Sequence, residues 1–266
     1  MNKNYIEKLF NLEKKRVLIT GAAGQIGKAL VGTFLECGAI VLAADLDIKN
    51  LKKNLKNLTN TYDTLFLYTV DIRKKESVSK MFGKIFREHR KLDVLINNAG
   101  ASTFEPFLER SEKRFNWVMD VNLKGTFFCI QKYARELIKS RTRGVIVNIG
   151  SIYGVISPDY RIYTDCKRKN SEVYGATKAA IIQMTRYYAV HLSRYGIRVN
   201  CVSPGGVFNP QNPQGKDFVK KYSYRCPLGR MAMTDDIVGG VLYLSSDASQ
   251  YVTGQNLIID GGMSCW

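Results

Sequence analysis

Tyr174 and Lys178 stand about one helical turn apart in "SEVYGATKAAIIQMTRYYAVHLSRYG" (171–196), a run with helical spacing, so their side chains share a face. A phenol, with an ordinary pKa of about 10, is a poor base at neutral pH. A cation beside it favours the phenolate and lowers that pKa, which would let Tyr174 exchange a proton with a substrate oxygen. A Tyr and a Lys so spaced are also common on plain helix surfaces, and alone they mean little. Ser151 could join them, because a hydroxyl can hydrogen-bond the same oxygen. Between Ser151 and Tyr174, however, runs "IYGVISPDYRIYTDCKRKNSEV", bulky and polar, and its length needs a reason.

A second constellation lies near the start. "TGAAGQIG" (20–27) follows a short β-branched run and opens a helical pattern. In that context Gly21 permits a tight turn, Gly24 lets backbone approach a pyrophosphate, and Gly27 allows close packing of helix on strand. The helix N-terminus then offers free N–H groups to the phosphates. Asp45 ends the next strand, 18 residues beyond Gly27, where a carboxylate accepts both ribose hydroxyls and repels a 2′-phosphate. Neither Arg nor Lys lies within the loop, although Lys28, Lys49, Lys52 and Lys53 are near in sequence. The pattern selects NAD over NADP. With a dinucleotide present, the Tyr174–Lys178 pair gains meaning, since a positive nicotinamide ring would add to the lysine's effect on the phenol.

The elements that must position these residues alternate. Strands are expected at "RVLITG" (16–21), "AIVLAAD" (39–45), "LFLYTVD" (65–71), "LDVLINNAG" (92–100), "GVIVNIGS" (144–151), "IRVNCVSPG" (197–205) and "QNLIIDGG" (255–262). Helical patterns fall at 25–37, 77–89, 112–139 (in two pieces parted around Asn122), 171–196 and near 235–246. Strand–helix alternation from end to end predicts a seven-stranded parallel sheet with helices on both faces, a Rossmann-type doubly wound α/β domain. With neither linker nor repeat, residues 15–266 read as one domain behind an N-terminal extension, 1–14.

Taken together the motifs resemble the short-chain dehydrogenase/reductase family from about Lys15 to Gly262. "NNAG" (97–100), Asn122 in "VNLKGTFF", Ser151 in "IVNIGSIYG", "YGATK" (174–178), "VNCVSPGG" (199–206) and the closing "PLGRMA" and "SSDASQYVTGQNLIIDGG" keep the family's order. The resemblance implies an NAD(P)-dependent alcohol dehydrogenase or ketone reductase. It makes Tyr174 the acid/base, Ser151 a hydrogen bond to the substrate oxygen, Lys178 a ribose contact and pKa modifier, and Asn122 the holder of a relay water. It implies a cofactor lined by Gly21, Gly24, Gln25, Ile26, Gly27 and Asp45, by Asp71 and Ile72 beside adenine, and by Asn98, Ala99 and Gly100. Tyr174, Lys178, Pro204, Gly205 and Val207 complete it on the nicotinamide side. It further implies a homotetramer or homodimer, paired through helices near 122–139 and 174–195. Phe127, Phe128, Tyr187 and Tyr188 on these helices suit an interface or a core equally. His191 reads as a packing or surface residue.

Two departures stand out. The glycines are spaced T-G-x-x-G-x-x-G rather than the T-G-x-x-x-G-x-G usual in the classical branch, and only 88 residues follow Lys178, too few for an added substrate domain. Asn209 lies near the place where the family often has a Thr for the nicotinamide amide. The stretch from Ser151 to Tyr174 is about twice the usual length, so roughly 157–173 must bulge out beside the crevice, where loops commonly set specificity. Tyr160, Arg161 and Tyr163 are the expected substrate contacts there, Arg161 first, with Lys167, Arg168 and Lys169 as further cations. Short phrases such as "SIYGVISPDYRIY" are similar to oxidoreductases of bacterial surface-glycan and flagellin-modification pathways, which points to a sugar or sugar-phosphate alcohol.

The totals exclude little more. The chain has 266 residues, 45% hydrophobic and 24% charged, as expected of a globular protein. No apolar run of about 18 residues exists to span a membrane, and the polar N-terminus lacks the centre of a secretory signal, so the cytoplasm is expected. Six scattered cysteines and two histidines form no metal-ligand spacing, so no metal is expected. A net charge of +17 is spread along the chain, which argues against nucleic acid and leaves an anionic or sugar-like small substrate open. Two other readings compete with the oxidoreductase acting on a sugar-like alcohol. One is a 3-oxoacyl-thioester reductase, which shares the motifs but wants an apolar groove. The other is a non-catalytic nucleotide-sensing regulator, which the presence of both Tyr174 and Lys178 opposes.

Overall fold

The computed structural model describes residues 3–166 and 168–266. In chain order its elements are α1 (Lys3–Phe10), β1 (Arg16–Thr20), α2 (Gln25–Glu36), β2 (Ile40–Asp45), α3 (Ile48–Asn54), α4 (Lys56–Thr61) and β3 (Leu65–Thr69). Next come α5 (Lys75–His89), β4 (Val94–Asn97), α6 (Glu112–Met119), α7 (Thr126–Ser140) and β5 (Gly144–Ile149). The chain finishes with α8 (Glu172–Leu192), β6 (Ile197–Pro204), α9 (Lys216–Arg225), α10 (Thr234–Ser245) and β7 (Asn256–Ile259). The seven strands form one parallel sheet in the order β3-β2-β1-β4-β5-β6-β7. The winding reverses between β1 and β4, and in such sheets the ligand crevice opens beyond the carboxyl ends at that switch point.

Both faces of the sheet are covered, which is why its strands read as continuous apolar runs. Along β1, Val17 and Ile19 pack with Leu30, Phe34 and Val241 of α2 and α10, while Leu18 turns to the layer of Phe82, Ile130 and Tyr133 from α5 and α7. All seven expected strands are present, but several stop short of their apolar runs. Asn98–Gly100 lie beyond β4, and Val70 and Asp71 beyond β3, where the chain turns into the crevice, although the Val70 N–H still donates to the Asp45 carbonyl of β2 at 2.9 Å. Ahead of the first strand, α1 spans Lys3–Phe10, and Leu12 is buried in the core. Helix α9 had no counterpart in the sequence reading. No helix among the described residues is long and apolar enough to cross a membrane.

Helix α8 is tied to the sheet by a buried polar chain. Asn97 Nδ2 donates to Asn148 Oδ1 at 2.9 Å, Asn148 Nδ2 donates to Thr185 Oγ1 at 2.9 Å, and Thr185 donates to the Ile181 carbonyl at 2.8 Å. All three side chains are buried, so each hydrogen bond replaces one that water would otherwise make. Asn148→Ala strands the Asn97 amide and opens a small cavity between β4, β5 and α8. We expect urea denaturation to show a loss of about 2–4 kcal/mol.

Candidate active site

The crevice begins at the glycine loop. A Cβ added to Gly27 would lie 2.2 Å from the Gly21 carbonyl oxygen, so only glycine lets α2 start this close to β1. Gly24 is the N-cap of α2 and makes no side-chain cap, which leaves the first N–H groups of a twelve-residue helix facing outward. Gln25 occupies the place where the classical branch has glycine, and its side-chain amide reaches across to the Phe208 carbonyl. Asp45 Oδ2 accepts from the Ala23 N–H at 3.0 Å and Oδ1 from the Asp47 N–H at 3.2 Å, fixing the carboxylate at the mouth of the loop. A cleft of about 520 Å³ runs on from there past Asp71, Ile72, Asn98 and Ala99, with Trp117 and Val121 on its far wall. Arg73 is the one cation among its described lining residues, and it already forks onto Asp71 with two 2.8 Å bonds that hold the Asp71 carboxyl below its usual range.

Gly100, Asn98, Ile26 and Ala101 continue into a second cleft of about 390 Å³ that holds Ser151, Tyr174 and Lys178. These three meet because two glycines allow it. A Cβ on Gly154 would lie 2.7 Å from the Lys178 carbonyl carbon, and one on Gly175 would lie 2.9 Å from the Tyr153 carbonyl oxygen. The turn after Ser151 therefore packs directly on the first turns of α8. Ser151 Oγ accepts from the Tyr153 N–H at 3.1 Å, and its hydroxyl also draws the Tyr174 phenol down in pKa. Lys178 is buried, donates to the Ile149 carbonyl at 2.7 Å, and has its ammonium 5.6 Å from the centre of the Tyr174 ring.

The titration behaviour departs from the expectation of a lowered phenol. Burial is the largest influence on Tyr174 and raises its pKa above the ordinary value, with Ser151 opposing. Burial also pushes Lys178 down from 10.5 to about 8. The lysine's own desolvation thus limits what it can do for the tyrosine, and the chain by itself keeps Tyr174 a neutral phenol at neutral pH.

Asn122 sits in a single π turn, Asp120–Gly125, between α6 and α7. It is fully buried, and its carboxamide is engaged by the Ala101 N–H (2.7 Å), the Ala101 carbonyl (2.9 Å) and Thr177 Oγ1 (2.9 Å). Both amide protons are committed. Asn122 could hold a water only through its backbone or the remaining lone pair of Oδ1.

The stretch after Ser151 runs on to Ser171, which caps α8. Tyr163, Cys166, Arg168 and Asn170 line the cleft from this side, and Tyr153 bonds Tyr163 hydroxyl to hydroxyl at 2.8 Å. Tyr160 and Arg161 are not among the lining residues. Tyr160 is 71% exposed, under the Lys169 ammonium, and Arg161 forks back onto Asp159 at 2.9 and 3.0 Å. Arg161 was the expected first contact. A carboxylate two residues away captured it, and Arg168 faces the cleft instead. Lys167 lies outside the described residues. Pro204, Gly205 and Val207 form the floor, and α9 contributes Phe218 and Tyr222, which sequence reasoning missed. Asn209 folds into a local turn by accepting from the Gln211 N–H. His191 stacks on Tyr187 on the exposed side of α8.

The family described as enoyl-(acyl carrier protein) reductase matches residues 21–264. An NAD-dependent glycerol dehydrogenase of Listeria innocua is 36% identical over 96% of this chain and 96% of its own. A 3-oxoacyl-[acyl-carrier-protein] reductase of Thermotoga maritima is 35% identical over 95% of this chain and 98% of its own. This chain is a short-chain dehydrogenase/reductase. Among solved structures, a short-chain dehydrogenase of Leptospira borgpetersenii with bound NAD+ superposes with a TM-score of 0.86 at 41% identity, over 99% of this chain and 97% of that one. A gluconate 5-dehydrogenase of Burkholderia cenocepacia, in complex with NADP and tartrate, gives 0.88 at 27% identity over 98% and 99%. The short-chain dehydrogenase/reductase is accordingly an NAD(P)-dependent oxidoreductase acting on a CH–OH group, and the glycine cradle, open helix terminus and Asp45 fit the nucleotide.

Lys178 carries a stability consequence. Its folded pKa of about 8 lies below the unfolded 10.5, so from pH 8 to 10.5 the unfolded chain binds more protons and stability rises with pH. Below pH 8 the buried ammonium is a net burden. We expect Lys178→Met to abolish turnover yet stabilise the cofactor-free enzyme by about 1–3 kcal/mol at pH 7, a gain that shrinks as the pH approaches 10.5. Thermal melts across that range check it.

Proposed function

We propose that this enzyme transfers hydride between NAD and a secondary alcohol or ketone on a small polyhydroxylated, sugar-like substrate, with Tyr174 as acid/base. The polarity of the second cleft carries this reading. Around Ser151 and Tyr174 it presents Ser102, Tyr153, Asn170 and Gln214, and the buried Gln214 Oε1 has no hydrogen-bond partner among the described residues. Hydroxyl groups suit such a lining, whereas an acyl chain would leave its polar atoms unpaired. The glycerol dehydrogenase and gluconate 5-dehydrogenase relatives support the choice; the Thermotoga reductase supports the thioester alternative.

Bound NAD+ supplies the hydride acceptor. Oxidising the alcohol then requires its hydroxyl proton to leave; Tyr174, once its own phenol proton has passed to solvent, takes it at Oη while Ser151 hydrogen-bonds the same oxygen. Lys178, held by the Ile149 carbonyl, keeps positive charge beneath the phenol as it ionises. In the reverse direction the raised phenol returns the proton to the developing alkoxide. The NAD preference rests on Asp45, with Arg73 already engaged by Asp71 and thus unavailable to a 2′-phosphate. A homodimer or homotetramer is also part of the reading. Tyr187 and Val190 of α8 are exposed beside an apolar groove of Phe127, Ile138 and Tyr188, and β7 leaves one edge of the sheet open.

A panel of glycerol, glucitol, gluconate and a 3-oxoacyl thioester, read by NADH absorbance, tests the substrate class; turnover of the thioester alone would overturn it. Tyr174→Phe should lower kcat at least ~10²-fold while NADH still binds in a fluorescence titration. Asp45→Ala should narrow or reverse the NAD preference, mainly in the cofactor KM. A native enzyme that used NADP better than NAD would remove Asp45 from this role.

A further inference from the structure

The cations around the insertion are not equivalent. Arg161 and Arg225 both pair with Asp159, Arg110 pairs with Glu105 and Glu172, and Lys221 pairs with Asp217. Arg168 pairs with no carboxylate among the described residues. One of its terminal nitrogens donates to the Asn212 carbonyl at 2.9 Å, and the residue lines the cleft that holds Tyr174. Among the described lining residues of that cleft, Lys178 and Arg168 are the cations, and neither Asp nor Glu is present. Lys178 lies under Tyr174 at the reacting end. Arg168 arrives from the insertion, and the carbonyl it holds belongs to the segment leading into α9, so it bridges the two walls of the cleft.

Both walls are braced. Asp165 of the insertion accepts from the Asp217 and Phe218 N–H groups, at 2.8 Å each, and so caps the start of α9. Ile162 and Cys166 are buried against Phe218, Tyr222 and Met231. An arginine held by one backbone carbonyl on a braced wall keeps most of its planar fork available at little further entropic cost.

We propose that Arg168 is a specificity-determining residue that binds an oxyanion on the substrate, so that the preferred substrate is a polyol bearing a carboxylate or phosphate remote from the carbon oxidised at Tyr174. This rests on the polyol reading of the same site. Lys178 is buried and turned to the reacting end, which leaves Arg168 to neutralise the far group. Its fork matches either oxyanion with two parallel hydrogen bonds.

The test compares three six-carbon probes with NAD+: glucitol, gluconate and glucitol 6-phosphate. The wild-type enzyme should favour one charged probe over glucitol by roughly 10–100-fold in kcat/KM, chiefly through KM; which one it favours distinguishes carboxylate from phosphate. Arg168→Gln should collapse that ratio to within a few fold, and Arg168→Lys should retain an intermediate ratio because it keeps the charge without the fork. NADH affinity and the melting temperature, measured in parallel, should hold in both variants. Equal use of charged and neutral probes by the wild type, or an equal loss on all three in Arg168→Gln, would overturn the assignment. Should only an acyl thioester turn over, the polyol reading fails. Calorimetric titration of tartrate into the NADH-loaded enzyme then decides the oxyanion subsite separately: binding lost in Arg168→Gln sustains it, and no binding to the wild type overturns it.

Discussion

An ammonium withdrawn from water sets the terms for this site. Among the described residues, Lys178 has one hydrogen-bond partner, the Ile149 carbonyl, and no carboxylate to neutralise it. Its desolvation lowers its pKa towards 8, close enough to neutrality that the charge persists there at a cost in free energy. Such a residue stays in place only if its surroundings cannot relax. The Ile149 carbonyl stands at the end of a strand paired on both sides, and α8 is anchored through Asn148–Thr185 and Asn122–Thr177. Two apolar layers, one on each face of the sheet, offset the burden. Stability is given up at the point where charge is needed, as is common at functional sites.

The substrate side is built on a different division of charge. The acidic groups of the insertion face away from the cleft and are engaged in structure: Asp159 gathers Arg161 and Arg225, and Asp165 caps α9. The phenols of Tyr153, Tyr163 and Tyr222 are all raised in pKa by burial, so they remain neutral donors and acceptors across the ordinary pH range. The result is a cleft that sets hydroxyl and amide groups among apolar side chains such as Ile152, Phe218 and Met231, with Lys178 and Arg168 as the cations among its described lining residues. The insertion's length follows from these contacts. It must travel out from β5, brace α9 and return to cap α8 at Ser171.

Much of this was legible in the chain. Apolar runs located all seven strands, and "TGAAGQIG" placed the nucleotide cleft, because these depend on local backbone requirements, while the order of "NNAG", "YGATK" and "SPGG" resembled the family and so singled out Ser151, Tyr174 and Lys178. Helix α9 was not legible. Its ten residues are mostly charged or aromatic and follow a Pro- and Asn-rich segment, and much of what stabilises it, the Asp165 cap and the packing of Phe218 and Tyr222, comes from residues distant in sequence.

Local pattern by itself determined the fold and the nucleotide cleft, since helix and strand periodicity and glycine spacing are short-range properties; the roles of Ser151, Tyr174 and Lys178 came from the resemblance to the family. Tertiary structure decided the rest. Whether Arg161 or Arg168 lines the cleft depends on which of them a carboxylate captures, and Asp159 captured Arg161. Whether Tyr174 is raised or lowered depends on how deeply it and Lys178 are buried, which spacing alone does not show. Burial and competition for charged partners are properties of the assembled molecule. They arise only when segments far apart in the chain, such as the 157–170 insertion and α9, come into contact.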